Sequence, residues 1–159
     1  MPAFNGKISA EFTPPKTWVL SRSLSFKTTK LTPEDINILK TVGADIATNG
    51  RITCDKGMKT DLASVPRACW AFIAPWDVAR AAVIHDHLYS SLRVFYHSTS
   101  MSGEKNANRY ANWKKGRALS DKIFLLGMKA AEPSVPKWKM YSAYWSVRLF
   151  GRWPASAKE

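Results

Sequence analysis

The chain has 159 residues, 45% of them hydrophobic, and a formal net charge of +12. This length and hydrophobic content are typical of one folded domain and exclude a disordered tail. No run of residues approaches the roughly 18 apolar residues of a membrane-spanning helix. Cys54 and Cys69 are too few for a disulfide scaffold. Because the first residues lack the basic and apolar segments of a signal peptide, we expect synthesis and initial retention in the cytoplasm.

The positive charge is concentrated in the C-terminal third of the chain. Residues 1–104 carry 12 basic and 9 acidic side chains, a net charge of +3, whereas residues 105–159 carry 12 basic and 3 acidic ones, a net charge of +9. A basic region of this kind favours an anionic partner such as nucleic acid, acidic lipid headgroups or an acidic protein surface. The alternative is a solvated surface that only promotes solubility, because charge governs association rather than fold.

Residues 1–66 predict mainly β-structure. Asn49-Gly50 is a strong hairpin signal, and Thr32 followed by Pro33 predicts the start of a short helix or an insertion between strands. Alternating or short apolar runs predict strands at residues 7–12, 18–20, 21–26, 44–47 and 51–54.

Residues 67–151 predict mainly α-helix, with Asp77 as the N-cap of the first helix. Three helices are predicted, over about residues 78–91, 113–131 and 134–151. The polar residues 98–112 predict a mobile loop. The prediction is one α+β domain over residues 1–159, with an N-terminal antiparallel sheet followed by three helices, and with residues 152–159 as a tail.

The first two predicted helices carry residues that are suited to catalysis. His85, Asp86 and Tyr89 lie on one helix and Asp121 on the next, and antiparallel packing would bring Asp121 beside His85. A carboxylate bound to one imidazole nitrogen fixes the tautomer and leaves the other nitrogen free to act as a base. Asp86 points to the neighbouring side of the helix, where a metal or a backbone amide fits. The alternative is a buried polar cluster that ties the helices together, with Asp61 bonding a nearby turn.

Several motifs occur in an order that resembles a known family. They are Thr60-Asp-x-Ala-Ser-x-Pro66, Ala81-Ala-x-x-His-Asp-x-Leu-Tyr89, Asp121-x-x-Phe-x-x-x-Met128, Met140-Tyr141 and Phe150-Gly151. Over about residues 50–151 the chain resembles the domain of unknown function numbered one-three-five-three, which is found in tailed bacteriophages and prophages. The resemblance implies a phage or prophage origin and no established activity.

The helix that carries His85 is also similar to one in the secreted phospholipases of the A-two class. These enzymes carry Cys-Cys-x-x-His-Asp-x-Cys-Tyr on one helix and an aspartate on an antiparallel partner helix. The similarity implies that His85 is the catalytic base and Asp121 its dyad partner. It also implies that Asp86 is a calcium ligand and Tyr89 a supporting residue.

This chain departs from the phospholipases in two respects. Ala81, Ala82 and Leu88 replace the cysteines, and residues 70–76 replace the glycine-rich calcium loop. Calcium would therefore need oxygen ligands from Asp61 and the loop around Ser64, in the segment that ends at Arg67. The similarity supports the dyad more than the metal, so the expected cofactor is calcium or none.

The last predicted helix combines aromatic and basic side chains. Large aromatic residues at helical spacing usually belong to the core. The alternative is a basic amphipathic face that contacts a membrane or a partner subunit. Nucleic acid would bind through charge only, because no recognition motif is present. The residues of the candidate face are Lys137, Trp138, Lys139, Tyr141, Trp145, Arg148 and Arg152.

Three functions remain open. The first is a virion- or lysis-associated phage hydrolase of lipid or other ester or amide bonds in the host envelope, with His85 as base and Asp121 as the orienting carboxylate. The second is a non-catalytic structural or tail-assembly component, and the third a small basic intracellular protein that binds a host protein or nucleic acid. The expected partners are other phage structural proteins or the host envelope, and the expected locations are the host cytoplasm at synthesis and then the virion.

Overall fold

The computed structural model describes residues 2–14, 17–60, 75–98, 104–132 and 134–156. The strands are β1 Ala3–Phe4, β2 Ala10–Thr13, β3 Thr17–Leu20, β4 Leu24–Lys27, β5 Arg51–Cys54 and β6 Lys59–Thr60. The helices are α1 Pro33–Thr41, α2 Pro75–His97, α3 Glu104–Lys129, α4 Lys137–Phe150 and α5 Arg152–Ser156. The predicted α+β class, with antiparallel strands followed by helices, is confirmed.

The strands form two small antiparallel sheets where the sequence predicts one. One sheet has the order β1-β4-β5 and the other the order β2-β3-β6. The strand predicted at residues 44–47 is reduced to a single bridge between Ile46 and Ile52. Gly50 has a φ of +76°, and a Cβ there would collide with the backbone carbonyl of Thr28, so this turn requires glycine.

Helix α1 follows β4 and precedes β5 along the chain, and it begins as the sequence predicts. The Thr32 hydroxyl accepts a hydrogen bond from the Asp35 amide, and the Asp35 carboxylate accepts one from the Thr32 amide, both at 3.1 Å. This capping box, with Pro33 in the first turn, satisfies backbone donors that a helix start leaves unpaired.

The predicted loop at residues 98–112 is wrong over its second half, because α3 begins at Glu104. Arg109 donates a 2.8 Å hydrogen bond to the Phe95 carbonyl, and its guanidinium lies 4.2 Å from the centre of the Phe95 ring. The Tyr110 ring stacks on that of Trp113. These contacts favour the helix despite the polar composition of this stretch. Helix α4 also begins three residues later than predicted, with Pro136 as its N-cap.

Residues 152–156, predicted as part of a tail, form helix α5 and pack against α2 and α3. Ala155 is fully buried, and its carbonyl accepts a hydrogen bond from the Trp113 indole at 3.4 Å. The ring of His97 lies 2.8 Å from the Ser156 carbonyl. Burial of Ala155 and these two contacts hold the short helix against its neighbours.

Helices α2 and α3 pack antiparallel at close range. A Cβ built on Gly127 would lie 3.0 Å from that of Ala81, and one built on Gly116 would lie 3.1 Å from the Leu92 side chain. The small residues therefore let the two helix backbones approach and bring the middle of α3 onto the middle of α2. The main core lies between this pair and the β1-β4-β5 sheet. Among the described residues, no helix combines the length and apolar character needed to cross a membrane.

Candidate functional site

A fully buried carboxylate, that of Asp121, joins three helices. His85 Nε2 on α2 lies 2.9 Å from Asp121 Oδ1, and the Tyr89 hydroxyl donates to the same oxygen at 2.7 Å. Arg148 Nη1 on α4 donates to Oδ2 at 2.7 Å. The predicted contact between His85 and Asp121 is therefore present, and neither residue has exposed surface.

Local geometry explains why these side chains converge. His85 and Tyr89 are four residues apart and therefore lie on the same face of α2. The imidazole ring packs 4.0 Å from the centre of the Tyr89 ring and 5.0 Å from that of Phe124. This packing restricts the ring to one orientation, with Nε2 directed at the carboxylate.

The charge of Asp121 determines which nitrogen of the His85 imidazole carries a proton. Burial by itself would raise the pKa of Asp121, but hydrogen bonds from His85, Arg148 and Tyr89 outweigh burial and hold the pKa below its ordinary 3.8. Asp121 is therefore ionised at neutral pH and can only accept hydrogen bonds. His85 Nε2 must then carry a proton, so a neutral imidazole here has its unprotonated nitrogen at Nδ1.

His85 Nδ1 is buried, and none of the described residues forms a hydrogen bond to it. Buried polar atoms in proteins are nearly always satisfied, so an unpaired one calls for an explanation. An unprotonated ring nitrogen, on an imidazole oriented by a carboxylate through the other nitrogen, is what a general base requires.

Arg148 and Tyr89 complete the shell around Asp121. Arg148 was predicted on the partner surface, but its guanidinium turns inward, because the buried carboxylate needs a charged donor on its second oxygen. Burial, together with the Asp121 charge, raises the pKa of Tyr89 above its ordinary value, so the phenol remains a donor.

Asp86 is half-buried beside the end of β6, where its carboxylate accepts a hydrogen bond from the Thr60 hydroxyl. The predicted supporting residues Asp61, Ser64 and Arg67 lie outside the described residues. Within the described ranges, no group of three His, Cys, Asp or Glu side chains is placed to hold a metal ion. Since calcium takes about six to eight oxygen ligands, Asp86 and the described residues around it do not by themselves make up a calcium site.

The aromatic residues of the candidate face on α4 are exposed, contrary to the expectation that they belong to the core. Trp138 and Trp145 are each 57% exposed and Tyr141 is 43% exposed. Lys137 and Arg152 are also exposed, and Lys139 is partly so. The buried face of the helix is formed instead by Met140, Ala143 and Val147.

His87 is a feature that the sequence patterns did not single out. It is half-buried, Nε2 has no hydrogen-bond partner among the described residues, and burial lowers its pKa. The ring lines a cavity of about 390 Å³ with Val42, Ser90 and Phe95. No sequence signal shows that the end of α1 and the residues after it lie beside this side of α2.

The fold and the site define an α+β protein built around a buried His–Asp pair with Tyr and Arg support. The family described as protein of unknown function (DUF1353) matches residues 37–147. This match covers well over half of the chain and includes His85, Tyr89 and Asp121, so the chain belongs to that family. No curated protein and no solved structure matches the chain.

Proposed function

We propose that this protein is a phage or prophage hydrolase that cleaves ester bonds in lipids of the host envelope. The single observation that carries the proposal is the buried Nδ1 of His85, which has no hydrogen-bond partner among the described residues, on a ring whose Nε2 is bound by the ionised Asp121. The resemblance to phage proteins suggests a phage or prophage origin, and the similarity to the phospholipase helix suggests that the substrate is a lipid ester.

The reaction that fits this geometry is ester hydrolysis by an activated water. His85 Nδ1 takes a proton as the water oxygen bonds to the ester carbonyl carbon. The bond from that carbon to the alcohol oxygen then breaks, and His85 returns the proton to the leaving alcohol. Asp121 keeps its negative charge throughout and stabilises the imidazolium that forms between the two steps.

The second candidate is a non-catalytic structural or assembly component of the phage particle. The complete burial of His85 and Asp121 favours it, because the same network ties α2, α3 and α4 together. In that case the network contributes to stability alone.

An assay on a short-chain phospholipid, run beside melting curves, separates the two candidates. If His85 is the base, His85→Ala reduces turnover by roughly 10²- to 10⁴-fold at a temperature where the variant is folded. Asp121→Asn keeps the side-chain volume, but its amide can hold the wrong imidazole tautomer, so a large loss of turnover is expected there too. His97→Ala is the matched control, because that histidine is exposed at the end of the same helix.

The hydrolase proposal fails if the wild-type protein cleaves neither short-chain phospholipids nor isolated envelope lipids. If His85→Ala and Asp121→Asn also lower the melting temperature in that case, the structural candidate is supported. An active wild-type protein whose folded variants retain full turnover would place the catalytic base elsewhere.

A further inference from the structure

Most of the exposed large hydrophobic side chains in the described ranges lie on α4 and α5. Of the eight such residues in the described ranges, only Phe12 and Val94 lie elsewhere. The other six lie on α4 and α5, and Phe150 is turned away from the rest by helical spacing. The remaining five form what we call the aromatic face: Trp138, Tyr141, Trp145, Leu149 and Trp153. A contiguous exposed apolar patch of this kind marks an interaction site.

Helical spacing shows that the aromatic face is organised. Trp138, Tyr141, Trp145 and Leu149 follow one another at intervals of three, four and four residues, so they form one stripe along α4. The stripe lies opposite the residues that α4 buries against the core. Helix α4 therefore has a second apolar face, and Trp153 on α5, two residues beyond Gly151, is 80% exposed.

Basic side chains border the aromatic face. The Lys139 ammonium lies 5.8 Å from the centre of the Trp138 ring, and that of Lys129 lies 5.8 Å from the centre of the Tyr141 ring. Lys137 and Arg152 are exposed at its two ends. Residues 133–158 contain no Asp or Glu, so no acidic residue of this segment offsets the positive charge.

We propose that the aromatic face docks on the surface of an anionic phospholipid bilayer, with α4 lying along the membrane plane. Trp and Tyr favour the headgroup level, where their rings are in an apolar environment and their polar atoms meet water. Lysine and arginine at the edge of such a face contact lipid phosphates. Nucleic acid would use the cations but would leave Leu149, which is 70% exposed, without an apolar environment.

Docking in this orientation would place the membrane against the same helix that contacts the candidate site. Helix α4 bears the aromatic face on its outside and, through Arg148, also contacts Asp121. The inference rests on the proposed lipid-ester hydrolase and deepens it, because it names bilayer phospholipid as the form of substrate that the enzyme meets.

The test measures binding to vesicles of ether-linked phospholipids, which an esterase cannot cleave. The wild-type protein should co-sediment with vesicles that contain phosphatidylglycerol and bind much more weakly to phosphatidylcholine alone. Replacing two aromatic side chains in Trp138→Ser/Trp145→Ser should weaken binding by roughly tenfold or more. Phe12→Ser is the matched control, since it removes an exposed aromatic residue from a different surface and should leave binding unchanged.

A second pair of variants tests the charges. Lys137→Glu/Arg152→Glu should weaken binding to the anionic vesicles several-fold at about 0.1 M salt and have little effect at about 1 M, where exposed charges are screened. Lys56→Glu changes an exposed lysine outside the face and should behave as wild type.

Three outcomes would overturn the proposal. The first is equal binding by the tryptophan variant and the wild-type protein, or no binding by either. The second is that the wild-type protein does not bind vesicles but self-associates, and that the tryptophan variant does not self-associate. This result would assign the face to a second copy of the chain. The third is tighter binding to duplex DNA than to vesicles. Turnover of a monomeric short-chain phospholipid without vesicle binding would reject docking alone, whereas vesicle binding without turnover would reject the hydrolase alone.

Discussion

The Tyr89 hydroxyl occupies the space that a side chain at Gly151 would need. A Cβ built on Gly151 collides with this oxygen and with the backbone carbonyl oxygen of Val147, and it lies 3.2 Å from the edge of the Tyr89 ring. Gly151 has a φ of −69°, which any residue adopts, so the requirement here is for space and not for backbone conformation. The end of α4 can therefore close over the tyrosine that donates to Asp121.

Gly151→Ala should destabilise the protein by about 1–3 kcal/mol, because it overpacks this contact. Tyr89→Phe removes one of the two colliding oxygens and leaves that of Val147, so the double variant should lose somewhat less stability than the sum of the two single losses. Urea unfolding of the four proteins measures the coupling. If the two losses of unfolding free energy are strictly additive, the Tyr89 hydroxyl is not the reason that residue 151 must be glycine.

Arg148→Gln should cost about 1–3 kcal/mol of unfolding free energy, because it leaves a buried carboxylate oxygen without its charged donor. Arg152→Gln removes an exposed arginine a few residues further on and should change stability by less than about 0.5 kcal/mol. Chemical denaturation of both variants provides the measurement. Equal effects would mean that the contact with Asp121 contributes nothing to the folded state.

Stability should fall with acid because of Asp121. Its pKa is lowered in the folded protein, so its contribution is present above the ordinary value of 3.8 and is lost as the pH falls through the lowered pKa. Unfolding free energies measured from about pH 5 to pH 2 should show this loss. The loss should be smaller in Arg148→Gln, which removes one of the bonds that lower the pKa.

Asp35 must be controlled for in that experiment. Burial would raise its pKa, but bonds from Thr32 and Lys122 outweigh burial and lower it, so Asp35 also loses stabilising interactions in acid. The difference between Arg148→Gln and its parent should persist in an Asp35→Asn background. If it disappears there, the acid sensitivity assigned to Asp121 belongs to the α1 cap.

Cys54 should be inert to thiol reagents in the folded protein. It has no exposed surface, and burial raises the pKa of its thiol, with a further increase from the Asp86 charge. Because the thiolate is the reactive form, labelling requires unfolding. In Cys69→Ser, where Cys54 is the only cysteine, maleimide should react in guanidinium and not under native conditions. Rapid labelling of the native protein would contradict this burial.

Local patterns were enough to predict the α+β class, the cap of α1 and the pairing of His85 with Asp121. The cap depends on residues three positions apart, and the shared face of His85 and Tyr89 on residues four apart, so both follow from helix geometry. The two helices follow one another in the chain and are joined by a loop, and such helices commonly pack antiparallel, which predicted that Asp121 lies beside His85.

The remaining features depended on contacts that no local pattern encodes. Two faces of α4 are apolar at the same helical spacing, Met140-Ala143-Val147 on one and Trp138-Tyr141-Trp145 on the other, so periodicity alone cannot tell which is buried. Only the packing of α4 on the core made that choice, and it also turned Arg148 toward Asp121, 27 residues away along the chain. The start of α3 was likewise decided by its contacts with Phe95 on α2, which outweigh the polar composition that predicted a loop.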